Sequence, residues 1–147
     1  MALAIDLVLA PVDSSDDSHD AVEYAVAVAE RYDADLHLLH LLDERVLQGL
    51  ETDDISADTV AAQQRSFTAD VRDHLATESV SLSHSSAVGF SSSRLAQTPG
   101  SVTLDAADQL DADFLVVPRV TTNSETNVLG KAALYILEYA SQPVLSV

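Results

Sequence analysis

The sequence predicts an open, doubly wound α/β domain: a parallel sheet of five strands with helices on both faces. Apolar runs of strand length alternate with stretches whose apolar residues recur at helical spacing, the pattern of a parallel sheet covered by helices. The 147 residues suffice for one continuous core and not for two, and no repeat, linker or low-complexity tract divides them, so 1–147 reads as a single domain. Five strands are too few to close an eight-stranded barrel, which leaves the open sheet.

Each element follows in order. Leu3 to Val12 is a Leu- and Val-rich run ended by Pro11, suited to a strand covered on both faces. Asp13 to Ser18 then supplies N-caps and first-turn acids, and Ala21, Val22, Ala25, Val28, Ala29 and Tyr32 follow at helical spacing. Asp35 to Leu42 is a second strand, and the polar stretch from Asp43 to Ser56 reads as a loop. Ser56 caps an amphipathic helix running to Thr77, with Val60, Phe67, Val71 and Leu75 on its inner face. Ser79 to Ala87 alternates Val80, Leu82 and His84 against serines, as a third strand, and Gly89 to Gly100 is serine-rich loop. A helix from Ser101 places Leu104, Ala107 and Leu110 on one side, and Phe114 to Val117 is a buried strand stopped by Pro118. Arg119 to Asn127 is polar loop, Gly130 to Ala140 is helix, and Val144 to Val147 is the last strand.

Charge removes whole classes of function. Twenty-four acidic residues face 7 basic ones, a formal net charge of −17. Binding to nucleic acid or to an anionic membrane surface needs clustered Lys and Arg, so neither is an expected partner. Seventeen of the acids are Asp, and Lys131 is the only lysine. Such a surface repels itself at ordinary ionic strength, whereas in molar salt the Debye length shrinks to about 3 Å, so a high-salt cytoplasm is expected. The acids run from Asp6 to Glu138 without forming one block, which favours solvation over docking. With no cysteine there is no disulfide, thiolate metal site or cysteine nucleophile. The N-terminal stretch lacks a cationic start and carries Asp6, unlike a signal peptide or a spanning helix, so the expectation is a cytoplasmic chain without membrane insertion.

In doubly wound sheets ligands bind beyond the carboxyl ends of the strands where strand order reverses, which directs attention to Asp13–Ser18, Leu41–Asp43 and Arg119–Gly130. At these loops the chain resembles the universal stress protein family, as an acidic, haloarchaeal-type member. Ala10-Pro-Val-Asp-Ser-Ser-Asp-Asp-Ser-His-Asp-Ala-Val-Glu-Tyr-Ala25 is similar to that family's first strand, loop aspartate and helix start. Ala34-Asp-Leu-His-Leu-Leu-His matches its second strand, Ala112-Asp-Phe-Leu-Val-Val its fourth and Gln142-Pro-Val-Leu-Ser-Val its last.

The resemblance implies an adenine nucleotide alpha hydrolase-like fold with strand order 3-2-1-4-5, and a homodimer pairing through Val144–Val147. In members that bind ATP, the loop aspartate (here Asp13) and a backbone position after the second strand (here Leu41) hold the adenosine. A loop of the form Gly-x2-Gly-x9-Gly-[Ser/Thr] holds the phosphates. This chain departs there: Arg119 stands at the first glycine and Thr122 at the second, the spacing to Gly130 is about two residues short, and Lys131 replaces the hydroxyl residue. Glycine lets main-chain amides approach phosphate, so losing two of three removes most of that cradle. The expectation is therefore a non-enzymatic stress-response or regulatory homodimer without family-type ATP binding or a resident cofactor. Two alternatives stay open. In one, Arg119, Gly130 and Lys131 with Asp13 hold ATP, AMP or another anion, helped by the anion preference of a helix N-terminus and with weak ATPase activity at most. In the other, the chain is a structural dimerisation partner of a transporter or kinase.

Other patterns are weaker. Leu129-Gly-Lys-Ala132 is not a P-loop, because Glu125 and Ala132 stand where glycine and a hydroxyl residue are needed. Capping alone accounts for an aspartate at position 13, and Ser14 stands where glycine is commoner in the family. His37 and His40 differ by three along a strand and point to opposite faces, and His19, His74 and His84 lie in separate elements, so no metal site is expected. No Gly-x-Ser-x-Gly elbow marks a nucleophile, and the serines from Ser83 to Ser93 read as solvated edge and loop.

Overall fold

The computed structural model describes residues 4–13, 16–42, 44–75, 80–88, 98–119 and 128–147. Their elements are β1 (Leu7–Val12), α1 (Asp16–Tyr32), β2 (Asp35–Leu42), α2 (Glu44–Glu51), α3 (Ala57–Asp73), β3 (Leu82–Val88), α4 (Pro99–Gln109), β4 (Phe114–Val117), α5 (Val128–Tyr139) and β5 (Val144–Ser146). All strands run parallel in one sheet of order β3-β2-β1-β4-β5, as the resemblance implied. The chain leaves β1 for β2 on one side and returns to β4 on the other, so the order reverses at β1.

The strands are apolar throughout because both faces are covered. On one face Val8, Ala10, Val12, Leu36, Leu38 and Val116 meet Ala21, Val22, Ala25 and Ala29 of α1 and Val71 of α3. On the other, Leu9, Leu39, Leu41, Leu115 and Val117 meet Ala107 of α4 and Leu129, Ala132, Ala133 and Ile136 of α5. Fully burying one such Leu or Ile contributes about 1.5–3 kcal/mol.

The Ala-Asp pairs that precede β2 and β4 have a common logic. Ala34 and Ala112 are buried while the aspartates that follow grip neighbouring main chain. Asp113 Oδ2 accepts the N–H groups of Asp6 (2.8 Å) and Leu7 (3.1 Å), and Asp35 Oδ1 accepts that of Ser81 at 3.3 Å. Aspartate also takes the left-handed positions just past α1, α2 and α4, where glycine is usual: Asp33, Asp53 and Asp111 have φ of 54°, 62° and 56°.

Several boundaries move. The stretch read as a loop from Asp43 to Ser56 contains α2, in which Val46, Leu47 and Leu50 recur at helical spacing but over only two turns set among acidic residues. Gly49 in that helix lies against Ile55, so close that a Cβ would sit 2.5 Å from Ile55 Cδ1. Helix α4 starts at Pro99, not Ser101: Thr98 Oγ1 accepts the Ser101 N–H (3.1 Å) and Ser101 Oγ accepts the Thr98 N–H (2.9 Å). Gly100 is thus helical, and it lets α4 approach α5, since a Cβ there would lie 2.2 Å from Tyr135 Cβ. Strand β1 begins at Leu7 and not Leu3, β3 runs from Leu82 to Val88 in place of Ser79–Ala87, α5 begins at Val128, and β5 ends at Ser146. The Ser56 cap is as predicted, its hydroxyl accepting the Thr59 N–H at 3.1 Å.

Candidate functional site

At the reversal point β1 ends at Val12 and is followed by Asp13, and β2 ends in His40, Leu41 and Leu42. The turn into α1 is closed by the buried Ser18, whose hydroxyl accepts the Asp13 N–H at 2.9 Å. Above the strand ends lies a cavity of about 120 Å³, walled by Val12, Asp13, His40, Leu41 and Leu42 and roofed by Val46 of α2 and Val60, Gln63, Gln64 and Phe67 of α3. It combines an apolar floor with one carboxylate and two carboxamides, the usual make-up of a small-molecule site. Gln64 is held in place by the Ser86 hydroxyl, which donates to its Oε1 at 2.6 Å.

Of the five site residues named from sequence, Asp13 and Leu41 come together in this wall; Arg119, Gly130 and Lys131 are not among its lining residues. Arg119 follows β4 with an exposed side chain, and its N–H donates to the Val147 carbonyl, tying the end of β4 to β5. Gly130 and Lys131 fall in the first turn of α5, Gly130 buried and Lys131 exposed. Thr122, Ser14 and Asp43 lie outside the described residues.

The roof helix brings histidines together in a way their spacing does not reveal. His40 of β2 meets Phe67 edge-on at 5.7 Å and His84 of β3 at 5.5 Å, and His19 of α1 stacks on the far side of the network, 4.6 Å from Phe67. The Thr68 hydroxyl lies 3.4 Å from His40 Nε2. Burial, reinforced by His84 and His37, pushes the His40 pKa down to about 4, so the ring is neutral at pH 7. His37 points to the opposite face, as predicted, where its ring nitrogens meet the hydroxyls of Ser83 (2.7 Å) and Ser85 (2.8 Å). Burial first, and His84 second, lower its pKa from 6.5. The register of β2 against β3 creates both arrangements, and that register is invisible before the strands are paired. Among the described residues no three His, Asp or Glu side chains gather as a metal site.

A second groove, of about 260 Å³, runs between α1 and α3 past His19, Val22, Glu23, Asp70 and His74. It lies between helices and not at the strand ends. No helix among the described residues is long and apolar enough to cross a membrane.

A parallel sheet whose order reverses at β1 defines an α/β domain of the doubly wound class, and the cavity lies at that reversal, where sheets of this class take their ligands. The model of the universal stress protein family matches residues 5–147, and the chain belongs to that family. Its structure is similar to that of the universal stress protein UspA from Lactobacillus plantarum, with a TM-score of 0.72, 24% identity and coverage of 99% of each chain. A universal stress protein in complex with cAMP matches with a TM-score of 0.70 and 23% identity, over 99% of this chain and 98% of that one. The universal stress protein from Archaeoglobus fulgidus in complex with dAMP matches at 0.62 and 18% identity, over 99% of this chain and 98% of the other. Likeness at these identities shows the fold. No curated protein sequence matches significantly.

Proposed function

We propose that this chain is a cytoplasmic regulatory binding module, homodimeric through β5, whose cavity takes an adenosine monophosphate-type nucleotide and not ATP held in the family manner. The observation that carries this reading is the meeting of Asp13 and Leu41 in one cavity at the strand-order reversal. Family structures in complex with cAMP and dAMP support a monophosphate ligand. The residues at 119 and 122 argue against a triphosphate, because Arg and Thr there lack the freedom by which glycine lets main-chain amides approach phosphates. Lys131, in the first turn of α5, supplies a positive charge where the helix already favours an anion. Exposed Leu134, Leu137 and Tyr139 on α5, beside the open edge of β5, support the dimer.

Titration calorimetry in molar KCl with AMP, cAMP and ATP tests the ligand. AMP-type nucleotides should bind more tightly than ATP, and Asp13→Ala should weaken them by about tenfold, the loss of one charge-assisted hydrogen bond. Absence of heat for every nucleotide at millimolar concentration would remove the ligand and leave a regulatory dimer without one. Light scattering reads the dimer separately.

A further inference from the structure

The cavity leaves one chemically unusual cluster unused, on the opposite face of the sheet at its outer strand. We propose that Ser83, His37 and Ser85 form a nucleophilic serine site that accepts an acyl group from a carboxylic ester. Strand β2 runs beside β3 with His37 directly opposite Ser83, and Ser85 lies two residues further along the same face. The imidazole therefore sits between two hydroxyls, with Nδ1 at 2.7 Å from Ser83 Oγ and Nε2 at 2.8 Å from Ser85 Oγ.

Proton counting makes this arrangement more than a satisfied histidine. A neutral imidazole carries one N–H and one bare nitrogen. With a hydroxyl at each nitrogen, one serine accepts the ring proton and the other donates its own to the bare nitrogen. The accepting serine orients the ring, the part a carboxylate plays in a Ser-His-Asp triad, and the donating serine is a nucleophile hydrogen-bonded to its base. The exposures suit these roles. His37 is only 6% accessible, whereas both serines are exposed. Burial keeps the ring neutral and able to accept a proton at pH 7. Strand β3 is the outermost strand of the sheet, so an ester can reach the hydroxyls from its side.

In the step, the donating serine's Oγ attacks the ester carbonyl carbon and its proton passes to the bare nitrogen of His37. The bond from carbonyl carbon to leaving oxygen breaks, and His37 returns that proton to the departing alkoxide. The products are an acyl-serine and an alcohol, with no redox change.

The test uses the whole chain in molar KCl with p-nitrophenyl acetate as the probe, following p-nitrophenol release and mapping the acetyl group by peptide mass. The expected result is acetylation of Ser83 or Ser85, absent at that position in its Ser→Ala variant and about 10²-fold slower in His37→Gln, the usual scale of general-base assistance. The rate should rise with pH through a midpoint below 6.5, the ordinary histidine value, a profile that a structural histidine would not produce. His37→Gln, which keeps a hydrogen-bonding side chain but cannot take up the proton, should show that loss of rate and no midpoint. If that variant fails to fold by circular dichroism, the pH profile of the native chain and the two single serine variants still decide. Acetyl groups scattered over other positions, a rate unchanged in His37→Gln, or no acetylation would each overturn the proposal. None of these outcomes bears on the nucleotide cavity.

Discussion

Helices α3 and α5 both cover the sheet, and they do so by different means. Along α5, Leu129, Ala132, Ala133 and Ile136 are buried at 2% exposure or less, interlocked with Leu115 and Val117 of β4. Along α3 the buried residues are Thr68 and Val71, and much of what holds the helix is polar or aromatic: Thr68 near His40, Gln64 bonded to Ser86, and Phe67 against His40 and His19. The cavity lies under α3 and not under α5. A dry, close-packed interface leaves no room for a ligand, while one held by a few polar contacts and rings can leave space and yield to an occupant.

Three experiments put that contrast at risk. The largest effect is expected at Ile136→Ala, which leaves a void in the apolar half and should cost about 2–5 kcal/mol in urea unfolding. Acid comes next and should act on the α3 half. The unfolded chain protonates His40 near pH 6.5, whereas the folded one resists until about pH 4. The unfolded state therefore binds more protons between those values, and the stability contributed by the neutral ring is complete above pH 6.5 and lost progressively toward pH 4. His37, lowered in the same direction but on the other face, adds to the overall loss of stability in acid without favouring the opening of α3. Hydrogen exchange at pH 7.5 and 5 should show the α3 amides opening first in acid, and earlier opening of α5 would contradict the contrast. The smallest effect is Gln64→Ala, expected to cost about 1 kcal/mol through its bond to Ser86 and to quicken exchange along α3 without touching α5.

Much of the architecture is readable from the residues because both faces of the sheet are buried. Phe114–Val117 and Asp35–Leu42 are found to the residue, since an uninterrupted apolar run has clear ends. Helix α2 escapes because its eight residues, although Val46, Leu47 and Leu50 hold helical spacing, are short, contain Gly49 and lie between acidic stretches. Gly100 misleads, as a glycine near serines suggests a loop whereas its missing side chain serves the approach of α4 to α5. For the cavity, Asp13 and Leu41 are accessible to sequence reasoning through the rule for strand-order reversal. Gln63, Gln64 and Phe67 are not, because only the path of α3 over β2 brings them there. The link between His37 and the serines of β3 is hidden for the same reason: spacing along one strand says nothing about its neighbour's register.

The two open edges of the sheet also differ. Strand β3 presents exposed Ser83, Ser85 and Ser86, while β5 presents half-buried Val144 and Leu145 beside exposed Leu134 and Leu137 of α5. Salt strong enough to screen a charge of −17 also removes the repulsion that keeps copies apart, so the chemistry of each edge then decides where they meet. Apolar strands on both edges would let sheet join sheet without end, as in a fibre. In the dimer proposed above, with one edge hydroxylated and the other apolar among the described residues, contact through β5 about a two-fold axis would use up the apolar border, and growth would stop at two copies.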